Sequence, residues 1–122
     1  MRNMSFALTT AQVRTGTKTV TRRMGWRFLK AGDLVRPVVK SQGLKRGEKV
    51  EVIRAPLRIV DVHRERLSRL TADMIYGFEE CRREGFGEDP VLYQPEDFVV
   101  FFCWTHGCAP ADIVTRIAFE YT

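Results

Sequence analysis

Long apolar runs are missing from this chain. The longest, Phe98–Trp104, falls far short of the ~20 residues that cross a bilayer as a helix. The first residues also lack a charged segment followed by an apolar one, because Thr9, Thr10 and Gln12 interrupt the opening stretch; no leader is expected. Cysteine is scarce: Cys81, Cys103 and Cys108 are odd in number and show no disulfide-framework spacing, which points to reduced thiols. No membrane contact and a cytoplasmic location are therefore expected. Blocks of like charge are absent. So are the phosphate-cradling patterns G-x-x-x-x-G-K-S/T and G-x-G-x-x-G, and the nucleophile elbow G-x-S-x-G. Nucleotide binding in those styles and the α/β-hydrolase arrangement are excluded.

What is present has the proportions of a water-soluble globular protein, 44% hydrophobic and 29% charged in 122 residues. One domain over residues 1–122 is expected. Twenty basic against fifteen acidic residues leave a formal charge of +5, which suits an anionic ligand or RNA and is equally common in small domains that bind neither.

Along the chain, Met4–Leu8 reads as an opening strand. A short helix follows over Ala11–Thr15, with Gly16 as its stop. The β-branched Thr19-Val20-Thr21 is extended, and Leu29–Val39 is a turn entering a strand whose Pro37 marks an edge or a bulge. Val50–Ile53 and Leu57–His63 are further strands; in the second, Leu57, Ile59 and Asp61 alternate against Arg58, Val60 and Val62. Met74, Ile75, Phe78 and Cys81 form an apolar stripe on a helix that starts at Ser68 or Thr71 and ends near Glu84-Gly85. Pro95-Glu96-Asp97 opens another helix that stops near Gly107. Val114–Tyr121 is a closing strand. Strands followed by helices, with no βαβ rhythm, give an α+β class: a small mixed sheet or barrel with flanking helices.

The densest cluster of reactive groups is Gly16-Thr17-Lys18-Thr19-Val20-Thr21-Arg22-Arg23. Lys18 and Thr21 face opposite sides of a fully extended segment, so they share a cleft only if Lys18 lies in the turn after Gly16. A desolvated lysine can take a proton from a hydroxyl, and a threonine needs such a base to attack anything. A solvated lysine on a surface strand is the alternative. Arg22, Arg23 and Arg27, with Lys45, Arg46 and Lys49, can meet RNA phosphates, and Trp26 or Trp104 can stack on bases; either tryptophan can equally be core. Cys103, His106 and Cys108 have close metal-ligand spacing but need His63 as a fourth ligand. His63-Arg64-Glu65 lacks the P-C-x-x-C half of a zinc deaminase. No metal and no cofactor are expected.

The Gly16–Arg23 segment, Lys30-Ala31-Gly32-Asp33, Glu84-Gly85-Phe86 and the terminal Val114–Tyr121, in this order, resemble the ASCH superfamily, and most of all its small phage and bacterial members. The resemblance implies a PUA-like fold, a small mixed β-barrel with flanking helices. It also implies one of two functions. Some members remove the acyl group from N4-acetylcytidine and related N4-acylated cytosine bases or nucleosides, using a lysine, a threonine three residues later and a later glutamate; others are regarded as RNA-binding modules, and ribonuclease activity has been attributed to some. Carried over, the catalytic set is Lys18, Thr21 and Glu84. Around that set, Arg23, Trp26 and Phe86 are the expected substrate-binding residues. Arg22 departs from the amidohydrolases, which carry an aliphatic residue there.

Overall fold

The computed structural model describes residues 1–122 and contains five strands and four helices. Strand β1 (Arg2–Ser5) leads through helix α1 (Thr10–Thr15) to β2 (Val20–Arg23) and β3 (Leu34–Val38). Then come β4 (Leu57–Arg66), α2 (Arg69–Ala72) and α3 (Met74–Cys81), whose last turn widens into a π-helical turn over Arg82–Phe86. Helix α4 (Pro95–His106) and strand β5 (Ile113–Tyr121) complete the chain. The sheet order is β1-β3-β4-β5-β2, with β1 parallel to β3 and every other pairing antiparallel. This mixed sheet with helices beside it is the expected α+β class.

The sheet curls until its edges meet through side chains. The Arg23 guanidinium, carried on edge strand β2, donates to the Ser5 carbonyl at the end of edge strand β1 and lies 4.8 Å from the Phe6 ring centre. A bulge at Val60 adds to the bend. Ile59 pairs with Phe119 and Asp61 with Ala118, so one residue is unmatched and the side-chain phase resets. The expected alternation therefore fails after Ile59. Val62, opposite Ile117, turns to the core side, while Asp61 turns away and is exposed.

Two more expectations change. Val50–Ile53 is not a strand; Val52 makes one bridge to Val38. On one side Pro37 stops the ladder: its carbonyl accepts from Ile53 N, but its nitrogen has no hydrogen to return, so pairing does not extend past Ile53. On the other side the Val39 carbonyl accepts from the Ser5 hydroxyl at 3.2 Å. The stripe Met74, Ile75, Phe78 and Cys81 is not the inward face of α3: only Cys81 is buried, and Ile75 is 87% exposed. The helix breaks at Asp73, whose side chain caps α3 by accepting from Tyr76 N at 3.1 Å. Gly77 then sets the inward face. A Cβ there would lie 2.0 Å from the Leu70 carbonyl oxygen and 2.7 Å from Pro95, so only glycine permits this approach. One helical face runs from Gly77 through Glu80 and Cys81 towards Glu84, and two carboxylates are thereby turned inward.

Most of the buried apolar residues fall into two clusters. One fills the curl of the sheet, with Met4, Phe6, Val13, Leu57, Ile117 and Phe119 among its members. The other lies under the helices and joins Leu67, Leu70, Cys81, Phe86, Phe98 and Phe102 to Val114 of β5. Strand β2 and the π-helical turn lie where the charged residues between them collect.

Candidate active site

Gly16 ends α1 in the left-handed region at φ 80°, which glycine adopts without strain, and the amides of Thr17 and Lys18 both return to the Gln12 carbonyl. The chain enters β2 only at Val20, so Lys18 is still in the turn. Its carbonyl accepts from the Tyr121 hydroxyl, and Thr19 N is held by Arg83 O. This is the condition under which Lys18 and Thr21 can share a cleft, and both line one cavity of about 230 Å³.

Glu84 reaches the same cavity from the π-helical turn. Gly85, at φ 100°, lets that turn press on its neighbours; a Cβ on it would lie 3.0 Å from Gln12 and 3.4 Å from the Lys18 Cβ. The Lys18 ammonium donates to Glu84 Oε1 at 2.8 Å and to the Glu84 carbonyl at 2.7 Å, with its side chain only 3% exposed. Burial lowers the Lys18 pKa; Glu84 pulls it back up, and Arg23 and Arg22 push it down further. Thr21 Oγ1 bonds to Arg23 Nε at 3.2 Å rather than to Lys18.

The two adjacent arginines have different surroundings. The Arg22 side chain is 0% exposed. Its Nη1 donates to Glu84 Oε2 at 3.2 Å, and its Nη2 contacts Glu65 Oε1 at 2.8 Å and Glu80 Oε1 at 2.5 Å. Burial works against the Arg22 cation, but Glu84, Glu80 and Glu65 outweigh it and hold its pKa above the ordinary value. Arg22 is thus withdrawn from the RNA-facing set expected for it. Arg23 has no carboxylate in ion-pair contact; burial lowers its pKa to about 10, and Glu84 offsets this only in part.

The cavity also has an apolar wall. Phe86 lies two residues after Glu84, beyond Gly85, with its ring centre 6.0 Å from Lys18 Nζ, and Phe98, Phe101 and Phe102 present one side of α4. At its lip, the His106 ring stacks on Phe102 with centres 4.0 Å apart. His106 Nδ1 lies 3.0 Å from both the Phe102 carbonyl and the Thr105 hydroxyl. Of this wall only Phe86 was expected from the sequence; Phe98, Phe101, Phe102 and His106 were not. Their signal was there in the helical spacing of Phe98, Phe102 and His106.

Five of the six expected site residues therefore meet: Lys18, Thr21, Arg23, Glu84 and Phe86 line the cavity. Trp26 does not. It sits at φ 56° beside Gly25, its ring 5.3 Å from that of Phe28, packed against the sheet-side cluster. The candidate zinc ligands do not assemble into a group of three or more. His63 pairs with Asp61 at 2.9 Å, His106 serves the cavity lip, and Cys103 and Cys108 face each other with sulfurs 3.8 Å apart. No helix is long and apolar enough to cross a membrane.

No family model matches the chain, and no curated protein matches it. Solved structures do, and they define the fold as that of an ASCH domain. The ASCH domain of Lactobacillus crispatus JV V101 superposes with a TM-score of 0.55 at 14% identity, over 98% of this chain and 77% of that one. A protein of Enterococcus faecalis V583 under the DUF984 family model gives a TM-score of 0.59 at 16% identity, over 98% of this chain and 78% of that one. At such identity the likeness is one of fold.

Proposed function

We propose that this cavity hydrolyses the exocyclic amide of an N4-acylated cytosine base or nucleoside. The observation that carries the reading is the meeting of Lys18, Thr21 and Glu84 on one cavity, with Lys18 buried and held on Glu84 at 2.8 Å. Burial favours the neutral amine, the form that can accept a proton. Thr21 Oγ1, or a water it positions, attacks the acyl carbonyl and loses its proton to Lys18. The carbonyl oxygen gains negative charge as the tetrahedral intermediate forms. Arg23 supports that charge, since it is a cation with no carboxylate in ion-pair contact and already donates to Thr21 Oγ1. Lys18 then gives the proton to the cytosine nitrogen as the C–N bond breaks. If Thr21 is the nucleophile, water hydrolyses its acyl ester and returns the hydroxyl.

The shape agrees with this substrate. The phenylalanines offer apolar faces to a planar ring, and Lys18, Thr21, Arg23 and Glu84 line the same cavity as polar groups for its amide. At about 230 Å³ the space is smaller than the ~300–1,000 Å³ of drug-sized sites, which suits one acylated base with its sugar at the lip. The test is turnover of N4-acetylcytidine by chelator-treated protein, beside Thr21→Ala and Glu84→Ala. Loss of product formation in both variants is expected. Full activity in both discards the mechanism.

A further inference from the structure

Glu84 has more partners than an acid–base pair requires. Lys18 takes Oε1 and Arg22 takes Oε2, so both carboxylate oxygens are engaged by cations before any substrate enters. Arg22 is itself held from behind by Glu65 and Glu80, and Glu80 is shared with Arg116. The sequence places this guanidinium where the amidohydrolases of the resemblance have an aliphatic side chain.

We propose that Arg22 is the standing counterion of Glu84, a positioning residue that leaves Lys18 free to give up its proton while the carboxylate stays ionised and fixed. The inference rests on the reading of Lys18 as general base. A buried carboxylate left without a cation is costly, so a lone Lys–Glu pair resists the loss of the lysine proton. Here Glu84 keeps a cation without that proton. Arg22 reaches Glu84, Glu80 and Glu65, Arg116 shares Glu80 and Arg69 shares Glu65, so a neutral Lys18 leaves each of the three carboxylates with an arginine in contact.

Other charged and titratable groups around Lys18 fit this assignment. Arg23 flanks it from β2 and, like Arg22, disfavours its cation; Glu84 alone favours it. From α3, the buried Cys81 thiol is pushed up to about 12, first by burial and then by Glu84, and stays uncharged. His106 faces the cavity from α4 with its Nδ1 occupied. A consequence follows for the chemistry. Glu84, bound at both oxygens, aims Lys18 but does not supply the proton to the leaving amine. That proton travels from the attacking O–H to Lys18 Nζ and from Nζ to the cytosine nitrogen.

The experiment has two arms. The first titrates Lys18 by NMR in protein labelled at the lysine side chains, with the signal assigned through Lys18→Arg, and needs no substrate. The second records kcat/KM against pH on N4-acetylcytidine for wild type, Arg22→Met and Arg22→Lys. In Arg22→Met, Lys18 is expected to titrate at higher pH than in wild type. The rising limb of kcat/KM moves the same way, so the loss is on the order of 10- to 100-fold near neutrality and shrinks in alkali. Arg22→Lys keeps the charge without the fork and falls between the two. A folded Arg22→Met with an unmoved Lys18 titration and equal loss at every pH overturns the proposal. Should Arg22→Met not fold, wild type still decides: a Lys18 titrating at or above the ordinary lysine value overturns it. Wild type inactive on every acylated cytosine refutes the substrate, while the NMR arm still tests the role of Arg22.

Discussion

The two apolar clusters are similar in size, with nine and eight buried residues, yet they have different neighbours. Within the curl of the sheet, aliphatic and aromatic side chains meet one another, and the residues packed at their margin are Trp26, Ile53, Val62 and Tyr121. Under the helices, Cys81 and Phe86 border a buried seam of Glu65, Glu80 and Glu84 facing Arg22, Arg116 and Lys18. Hydrophobic burial favours folding wherever it occurs, whereas burying ions costs stability unless each finds a partner. A chain selected for stability alone would gain by making the second region like the first. The charged seam lies against the cavity, and under the proposed function its ordered groups are the ones that would act. The sheet-side cluster is almost wholly apolar, whereas the helix-side cluster borders the buried charges.

That contrast can be broken at points of decreasing leverage. Lys18→Met removes the base and leaves a stem of similar length; kcat/KM on N4-acetylcytidine should fall ~10²–10⁴-fold with the folded fraction, measured by circular dichroism, retained. Next in size is Glu80→Ala, which leaves Arg22 and Arg116 short of a buried carboxylate. Urea unfolding should show a loss of about 3–5 kcal/mol. The pH dependence of the same group has a definite sign. Burial pushes the Glu80 carboxyl up, but Arg116 and Arg22 outweigh it and hold it at about 2, below the ordinary 4.5. Its contribution is therefore complete above pH 4.5 and is lost as the pH falls towards about 2, and Glu80→Gln should flatten that part of the stability curve.

On the sheet side, Ile117→Ala should cost about 2–5 kcal/mol of stability while kcat per folded molecule stays as in wild type. A parallel loss of kcat would show that the two regions are not separable. Gly77→Ala tests the contact that turns α3, since its Cβ meets the Leu70 carbonyl. About 1–3 kcal/mol is expected from overpacking, together with reduced activity if Glu80 and Glu84 shift. Glu120→Ala, which removes the exposed pair with Arg58, should change stability by no more than ~1 kcal/mol.

Much of the fold was legible in the sequence because local signals agreed with the tertiary outcome. Gly16 and Gly107 stop α1 and α4, and Pro95 with Glu96 and Asp97 starts α4. The failures each have a long-range cause. Val50–Ile53 has strand composition, but its neighbour presents Pro37, which has no hydrogen to donate. Leu57–His63 alternates cleanly, and the bulge at Val60 still moves Val62 to the core side. The stripe on α3 follows helical spacing, yet a glycine contact with α2 and Pro95 selects a different face. Within the site, Lys18, Thr21 and Glu84 were readable as residue types. Glu65 and Glu80 were not, because no local pattern separates an inward carboxylate from a solvated one.

The sequence by itself determined the class of elements, their order, the stops at glycine and the reactive groups available. Those depend on propensities and spacings that act over a few residues. The tertiary structure alone decided that Arg22 is buried while Arg23, its neighbour on the same strand, faces the cavity without a carboxylate in ion-pair contact. It also decided that Trp26 packs beside the sheet rather than the cavity, and that Glu84 arrives at Lys18 with both oxygens already engaged. Burial and ion pairing are properties of what lies across the fold, and for Lys18 and Glu84 that partner is 66 residues away.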